Sequence, residues 1–154
     1  MRRAAQRRGR NRALEGDPLY LTGCILYWAE GSKNRNTLQF SNSELPMVRT
    51  FKSFAMECFD LEADRLTLSL NVYTNNGLSL EQIERYWLNG LGLPQACARK
   101  HRTNHYPTSS SGKRRNKLPH GVCTLTVLRS TLIVQEIFGA IQEYAGFEEP
   151  AWLD

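Results

Sequence analysis

"RLTLSLNVYTN", residues 65–75, is the stretch on which the architecture turns. Leu66, Leu68, Leu70 and Val72 alternate with Thr67, Ser69, Asn71 and Tyr73. Successive side chains leave a strand on opposite sides, so this alternation specifies a strand with one dry face and one wet face. A dry face needs an apolar cover, and the flanking segments offer one.

Asp17-Pro18 reads as the N-cap and first residue of a helix over residues 18–29, which Gly31 stops. "TLQFSN", residues 37–42, repeats the alternation with Leu38 and Phe40 facing one way. Ser43 is the expected cap of a helix from Glu44 to Phe59, with Met47, Val48, Phe51, Phe54, Ala55 and Cys58 as its apolar stripe. Beyond the central strand, Asn75-Asn76-Gly77 makes a turn, and Ser79 with Gln82 predicts a capping box for a helix to Leu91. A further strand is expected around residues 97–103. "GVCTLTVL", residues 121–128, is another, and Ser130 caps a closing helix that ends by Gly146. The pattern predicts an α+β domain, with a mixed or antiparallel sheet of about four strands and helices on one face.

The 154 residues suit one domain. The longest apolar run, near Cys24–Ala29, falls far short of the roughly 20 residues that span a bilayer. No hydrophobic segment follows the basic N-terminus, so no secretory signal is read there. Cys24, Cys58, Cys97 and Cys123 are scattered and fall largely in apolar patterns, which fits free thiols and a cytoplasmic location.

The net charge of +5 is unevenly distributed. Residues 2–12 hold Arg2, Arg3, Arg7, Arg8, Arg10 and Arg12 and no acid. Residues 99–117 hold Arg99, Lys100, Arg102, Lys113, Arg114, Arg115 and Lys117, again with no acid. The expected organisation is a flexible basic arm over residues 1–16, a domain over 17–146, and an acidic tail over 147–154. Clustered cations suit a polyanion, because phosphate neutralisation needs several of them together. The wet sheet face would add Thr37, Gln39, Ser41, Thr67, Ser69, Asn71, Tyr73, Thr124 and Thr126, side chains able to bond bases and phosphates. A polar outer face is also ordinary for an antiparallel sheet.

One detail of the first helix asks for a reason: "YLTGCILYWAEGSKN", residues 20–34, ends an apolar helix on Glu30. An anion there opposes the helix dipole by roughly 0.3–1 kcal/mol. "GCILYWAEGS", followed by "FSNSE", resembles the LAGLIDADG homing-endonuclease superfamily, in variants whose motif ends Ala-Glu-Gly-Ser. The resemblance extends over roughly residues 18–145, through "RLTLSLNVY", "IERYWLNGLGLP" and "GVCTLTV". Ile25 stands where the family signature often has glycine.

In that family, motif helices pair and their terminal acids hold a divalent metal against the DNA backbone. The resemblance therefore implies a homodimer through helix 18–29, with Gly23 and Ala29 as small residues for close approach. It implies Mg²⁺ or Mn²⁺ at Glu30, and site-specific phosphodiester hydrolysis of double-stranded DNA. Gln39, Asn42, Lys100 and Lys113 are further catalytic candidates by position. The DNA-contacting set is Arg7, Arg8, Lys33, Arg35, Thr37, Ser41, Thr67, Ser69, Asn71, Tyr73, Arg102, Lys113, Arg114, Arg115, Lys117, Thr124 and Thr126. Because some relatives keep the scaffold without cleavage, a non-catalytic DNA-binding regulator is the alternative. Cys97, His101, His105, His120 and Cys123 are potential zinc ligands whose spacing fits no common zinc pattern.

Overall fold

The computed structural model describes residues 1–74, 77–105 and 118–154. Helices α1 (Arg2–Ala13), α2 (Pro18–Glu30), α3 (Leu45–Cys58), α4 (Leu80–Leu91) and α5 (Thr131–Ala145) accompany strands β1 (Leu38–Asn42), β2 (Leu66–Thr74), β3 (Arg102–His105) and β4 (Val122–Val127). The strands form one mixed sheet in the order β1-β4-β2-β3. β4 is antiparallel to both β1 and β2, and β2 runs parallel to β3. The expected α+β class and four strands are both present.

The alternation in the sequence is obeyed side for side. Leu38, Phe40, Leu66, Leu68, Leu70, Val72, Cys123, Leu125 and Val127 are all buried. α2, α3, α4 and α5 supply most of the rest of that core, including Tyr27, Phe51, Phe54, Trp87 and Phe138. Phe40 stacks on Phe51 at 4.7 Å between ring centroids. A typical buried Leu or Phe side chain contributes about 1.5–3 kcal/mol relative to exposure, so this dry face dominates stability.

Two helix starts follow the local code. Asp17 accepts from the Leu19 amide at 3.0 Å, and Ser79 and Gln82 exchange both bonds of a capping box. Two others differ. The cap position of α3 is Glu44, one residue later than expected, because Asn42 Oδ1 takes the Glu44 amide at 2.9 Å. Ser130 leads α5 without a capping bond; its hydroxyl donates to the Val127 carbonyl and accepts from the Leu38 amide, pinning β1 to the end of β4.

The strand expected over residues 97–103 is displaced. Gln95–Cys97 form a 3-10 turn, and β3 begins only at Arg102. The His101 ring occupies the place a strand carbonyl would take, with Nδ1 accepting from the Leu70 amide at 3.0 Å. Pairing with β2 is completed by Arg99, whose amide donates to the Leu68 carbonyl at 2.9 Å.

The largest correction concerns the termini. Residues 2–13, expected within a flexible arm, form α1 docked along α5. Ala5, Gly9 and Ala13 recur every four residues and line one buried face. A Cβ at Gly9 would lie 1.8 Å from the Glu136 carbonyl oxygen, and one at Gly139 would lie 2.0 Å from that of Gln6. The two backbones thus touch, and only glycine permits it. Beside this contact, buried Gln6 donates to Gln135 at 2.9 Å and accepts from Gln142 at 3.2 Å.

The expected acidic tail is tied down too. Gln142 Oε1 accepts from the Glu149 amide, Gln135 donates to the Trp152 carbonyl, and Trp152 stacks on Phe138 at 4.4 Å.

Candidate nucleic-acid interface and motif helix

The wet face of the sheet is built by strand register. Gln39, Thr126 and Thr67 align in one row across β1, β4 and β2, and Ser41, Thr124 and Ser69 in the next. Asn71 stands beside Arg102 of β3. By the same alternation Thr37 and Tyr73 extend the face at its two ends. Cross-strand bonds order it: Gln39 Nε2 donates to Thr126 at 3.1 Å, and the Ser41 and Thr124 hydroxyls are 2.7 Å apart. Ser69 donates to the Lys100 carbonyl at 2.9 Å. The four core helices lie on the other face. The result is a surface of hydroxyls and amides with Lys100 and Arg102 exposed at the β3 edge. Lys113, Arg114, Arg115 and Lys117 lie outside the described residues.

Glu30 closes α2 at the opposite edge. Gly31 turns from the helix to bridge Phe40 on the outer side of β1, and the Ser32 amide donates to the Gln39 carbonyl. A Cβ at Gly31 would meet the Tyr27 ring at 2.2 Å, which explains the glycine that ends the motif. Lys33 is held at φ 56°, and its ammonium donates to the Trp28 and Gly31 carbonyls at 3.1 and 3.2 Å. The cation that suits the negative end of α2 is therefore Lys33. Among the described residues the Glu30 carboxylate is exposed and has neither hydrogen-bond nor ion-pair partner.

Among the described catalytic candidates, only Gln39 lies beside this turn. Asn42 is at the far end of β1 and its Oδ1 is occupied by the Glu44 amide. Lys100 sits by β2 and β3, several strand spacings of about 4.8 Å from Gly31. One chain does not bring Glu30 and Lys100 together. Lys113 lies outside the described residues.

α2 leaves an apolar stripe uncovered. Leu21, Ile25 and Trp28 fall at i, i+4 and i+7 and are 43%, 36% and 38% exposed. Thr22 and Ala29 flank them, also exposed. Trp28 is partly shielded by a stack on Phe147. Gly23, expected to serve helix pairing, instead faces inward: a Cβ there would meet the Phe54 ring of α3 at 2.0 Å. Its small size accommodates the core.

The arginines of α1 divide into two groups. Arg12 lies over the Tyr20 ring, 3.7 Å from Glu136, and donates to the Cys58 carbonyl. Arg10 pairs with Glu148 at 2.7 Å and Glu143 at 3.6 Å, and Arg2 bonds Asn36 and the Leu153 carbonyl. Arg3, Arg7 and Arg8 are exposed. α1 rests on α5, within the helical side of the molecule, so Arg7 and Arg8 do not share a surface with the polar sheet face as a flexible arm would allow. Arg35, another expected DNA contact, donates to the Ala151 carbonyl and so braces the C-terminal turn.

The histidine and cysteine candidates have structural duties. With Nδ1 taken by Leu70, His101 donates from Nε2 to Glu84 at 2.5 Å. Gln95 also donates to Glu84, and these two bonds hold its carboxyl below the usual range, Gln95 contributing most. Both imidazole nitrogens are thus occupied. Cys97 donates to the Ala63 carbonyl. Cys123 is buried within the sheet, and burial pushes its thiol up to about 12, as burial also raises Cys24. His120 stacks on Tyr86, and the side chain of His105 lies outside the described residues. No described helix is long and apolar enough to cross a membrane.

No protein-family model matches the chain, and no curated protein or solved structure matches it.

Proposed function

We propose that this protein binds double-stranded DNA on the polar face of its sheet and, as a homodimer through α2, hydrolyses phosphodiester bonds at a metal site that includes Glu30. The observation that carries the reading is the stripe Leu21, Ile25 and Trp28, which runs exposed along α2 and stops beside a carboxylate with no partner among the described residues. A monomer gains nothing from exposing these three side chains, whereas a two-fold pair of α2 helices buries them against themselves. Because α2 packs against β1, such a pair sets two polar sheets side by side across a shared seam. Lys100 and Arg102 then lie toward the outer flanks, where they can neutralise phosphates.

A single exposed carboxylate is a poor site for Mg²⁺, which favours six oxygens in a tight octahedron. Two Glu30 copies at one seam, with phosphate oxygens and water, fit that demand. A metal so held supplies charge stabilisation for the attacking and leaving oxygens. The chain's own contribution is positional: Gly31 and Lys33 fix the end of α2, the Gly31–Phe40 bridge ties it to the sheet, and Gln39 offers a polar group beside the turn.

A second reading, a DNA-binding regulator without cleavage, is favoured by one observation: no described lysine converges on Glu30, since Lys33 is engaged with helix carbonyls and Lys100 lies across the sheet. Incubation of the protein with supercoiled DNA and Mg²⁺ or Mn²⁺, alongside Glu30→Gln, separates the two. Nicking that Glu30→Gln abolishes supports the enzyme. Salt-sensitive DNA binding with no nicking in either metal leaves the regulator, and no binding at low salt removes both.

A further inference from the structure

We infer that the outer face of α1 is a second, separate docking surface for a nucleic-acid backbone, so that the protein bridges two duplex segments. The inference rests on the proposed function for the first duplex. One helix, α1, carries two classes of arginine. Arg2, Arg10 and Arg12 each have a partner in the fold, and acids Glu136, Glu143 and Glu148 lie along the α1–α5 seam to provide some of them. Arg3, Arg7 and Arg8 are exposed and without a hydrogen-bond or ion-pair partner among the described residues. No residue of α1 is acidic.

The helix is also rigidly presented. Gly9 and Gly139 bring the α1 and α5 backbones into contact, and the Gln6, Gln135 and Gln142 side chains lock the crossing. Side chains at about 100° per residue place Ala5, Gly9 and Ala13 against α5 and turn Arg3 and Arg7 away from it, with Arg8 exposed on the flank, close enough to Glu136 to pull on its charge. Arg3 and Arg7 are about one turn apart, roughly 6 Å along the axis, and a duplex strand carries a phosphate about every 3.4 Å of its axis, so both long side chains are within reach of one stretch of backbone. A docked cationic helix face loses little conformational freedom on binding, unlike a loose arm.

Position decides that the surface is distinct. α5 contributes Val134, Ile137, Phe138 and Ile141 to the core beneath the sheet, and Gln135, Gly139 and Gln142 to the α1 seam. These two sets lie on different sides of α5, so α1 stands outside the helical layer. Only the N-terminal end of α1 approaches the sheet, where Arg2 bonds Asn36 beside Thr37; Arg7 and Arg8 lie one to two turns further along the helix. The partner that fits exposed guanidiniums with no ion-pair partner among the described residues is a second stretch of backbone, read without base contacts.

The test uses the full chain and two duplexes of about 30 base pairs, some three helical turns, one carrying a donor dye and one an acceptor. Wild-type protein is expected to bring them together, seen as energy transfer that falls with added salt. The triple variant Arg3→Gln/Arg7→Gln/Arg8→Gln changes only exposed positions and is expected to melt close to wild type, with a small loss from Arg8's pull on Glu136. It should lose bridging by about tenfold or more in protein concentration while binding one duplex within about twofold of wild type. The salt slope of the bridging step should fall by about 3, near 0.9 for each phosphate no longer neutralised. Bridging that survives the triple variant overturns the inference, because two sheet faces of a dimer would then suffice. A variant whose single-duplex affinity falls as far as its bridging also overturns it, placing both surfaces on one duplex. Absence of bridging by wild-type protein that still binds one duplex overturns the inference and leaves the proposed function standing. Failure of Lys100→Gln/Arg102→Gln to weaken single-duplex binding instead removes the sheet-face reading.

Discussion

α1 and α2 are neighbours in sequence with opposite surface chemistry. α1 carries small residues where it meets α5 and arginines where it meets water. α2 buries Tyr20, Cys24 and Tyr27 and still exposes Leu21, Ile25 and Trp28. One helix has closed its packing seam with glycine; the other retains an open apolar one. A closed seam belongs to the monomer's stability, and an open seam belongs to association.

The comparison breaks most severely at Gly9. Gly9→Leu drives a side chain into the Glu136 carbonyl and should cost about 3 kcal/mol or more, as overpacking at a backbone contact does. Chemical denaturation measures it, and a loss under about 1 kcal/mol would mean the seam relaxes freely. Ile25→Glu, on the open seam, should leave monomer stability within about 0.5 kcal/mol. It should weaken self-association at least ~30-fold, the scale of one hot-spot residue. Sedimentation across a concentration series reads this, and an unchanged dimer would move the interface elsewhere.

A subtler contrast lies among the arginines. Arg12→Ala leaves Glu136 partly buried without its ion pair and the Cys58 carbonyl without its donor, a loss of about 2 kcal/mol. Arg7→Ala should stay within about 0.5 kcal/mol of wild type. Equal effects would mean that α1's two faces are not energetically distinct.

The smallest expected effects are pH-dependent and opposite in sign. Burial holds the Glu136 carboxyl above its ordinary 4.5, with Arg12 and Arg8 opposing. A raised carboxyl binds its proton more tightly when folded, so its relative stabilisation is present below the ordinary value and fades as pH rises through the raised one. Glu84 is held below 4.5 by Gln95 and His101. Its stabilisation is present above the ordinary value and fades as pH falls through the lowered one. Gln95→Leu should therefore shrink the acid-side loss of melting temperature, while Arg12→Ala should steepen the loss toward neutral pH.

Much of the fold was legible because alternation is local. Leu66 to Tyr73 declared which side of the sheet would be dry, and the capping box of Ser79 and Gln82 is written in four consecutive residues. The polar face followed from the same alternation. The helical N-terminus was hidden, because arginine density in residues 2–12 masked the spacing of Ala5, Gly9 and Ala13. That four-residue recurrence was the available signal for a docked helix. Strand β3 was misplaced because a histidine ring substituting for backbone leaves no periodic trace.

The sequence by itself determined the alternating strands, most helix boundaries, and a glutamate set against its helix dipole. These depend on neighbours a few residues apart. Only the tertiary structure decided that Gly23 serves Phe54 and Gly31 serves Tyr27, that Lys33 caps α2 while Glu30 has no partner among the described residues, and that the arginines of α1 divide between a seam and an open face. Each of those outcomes is a contact or a free surface created by folding, and residue order alone does not specify which groups meet.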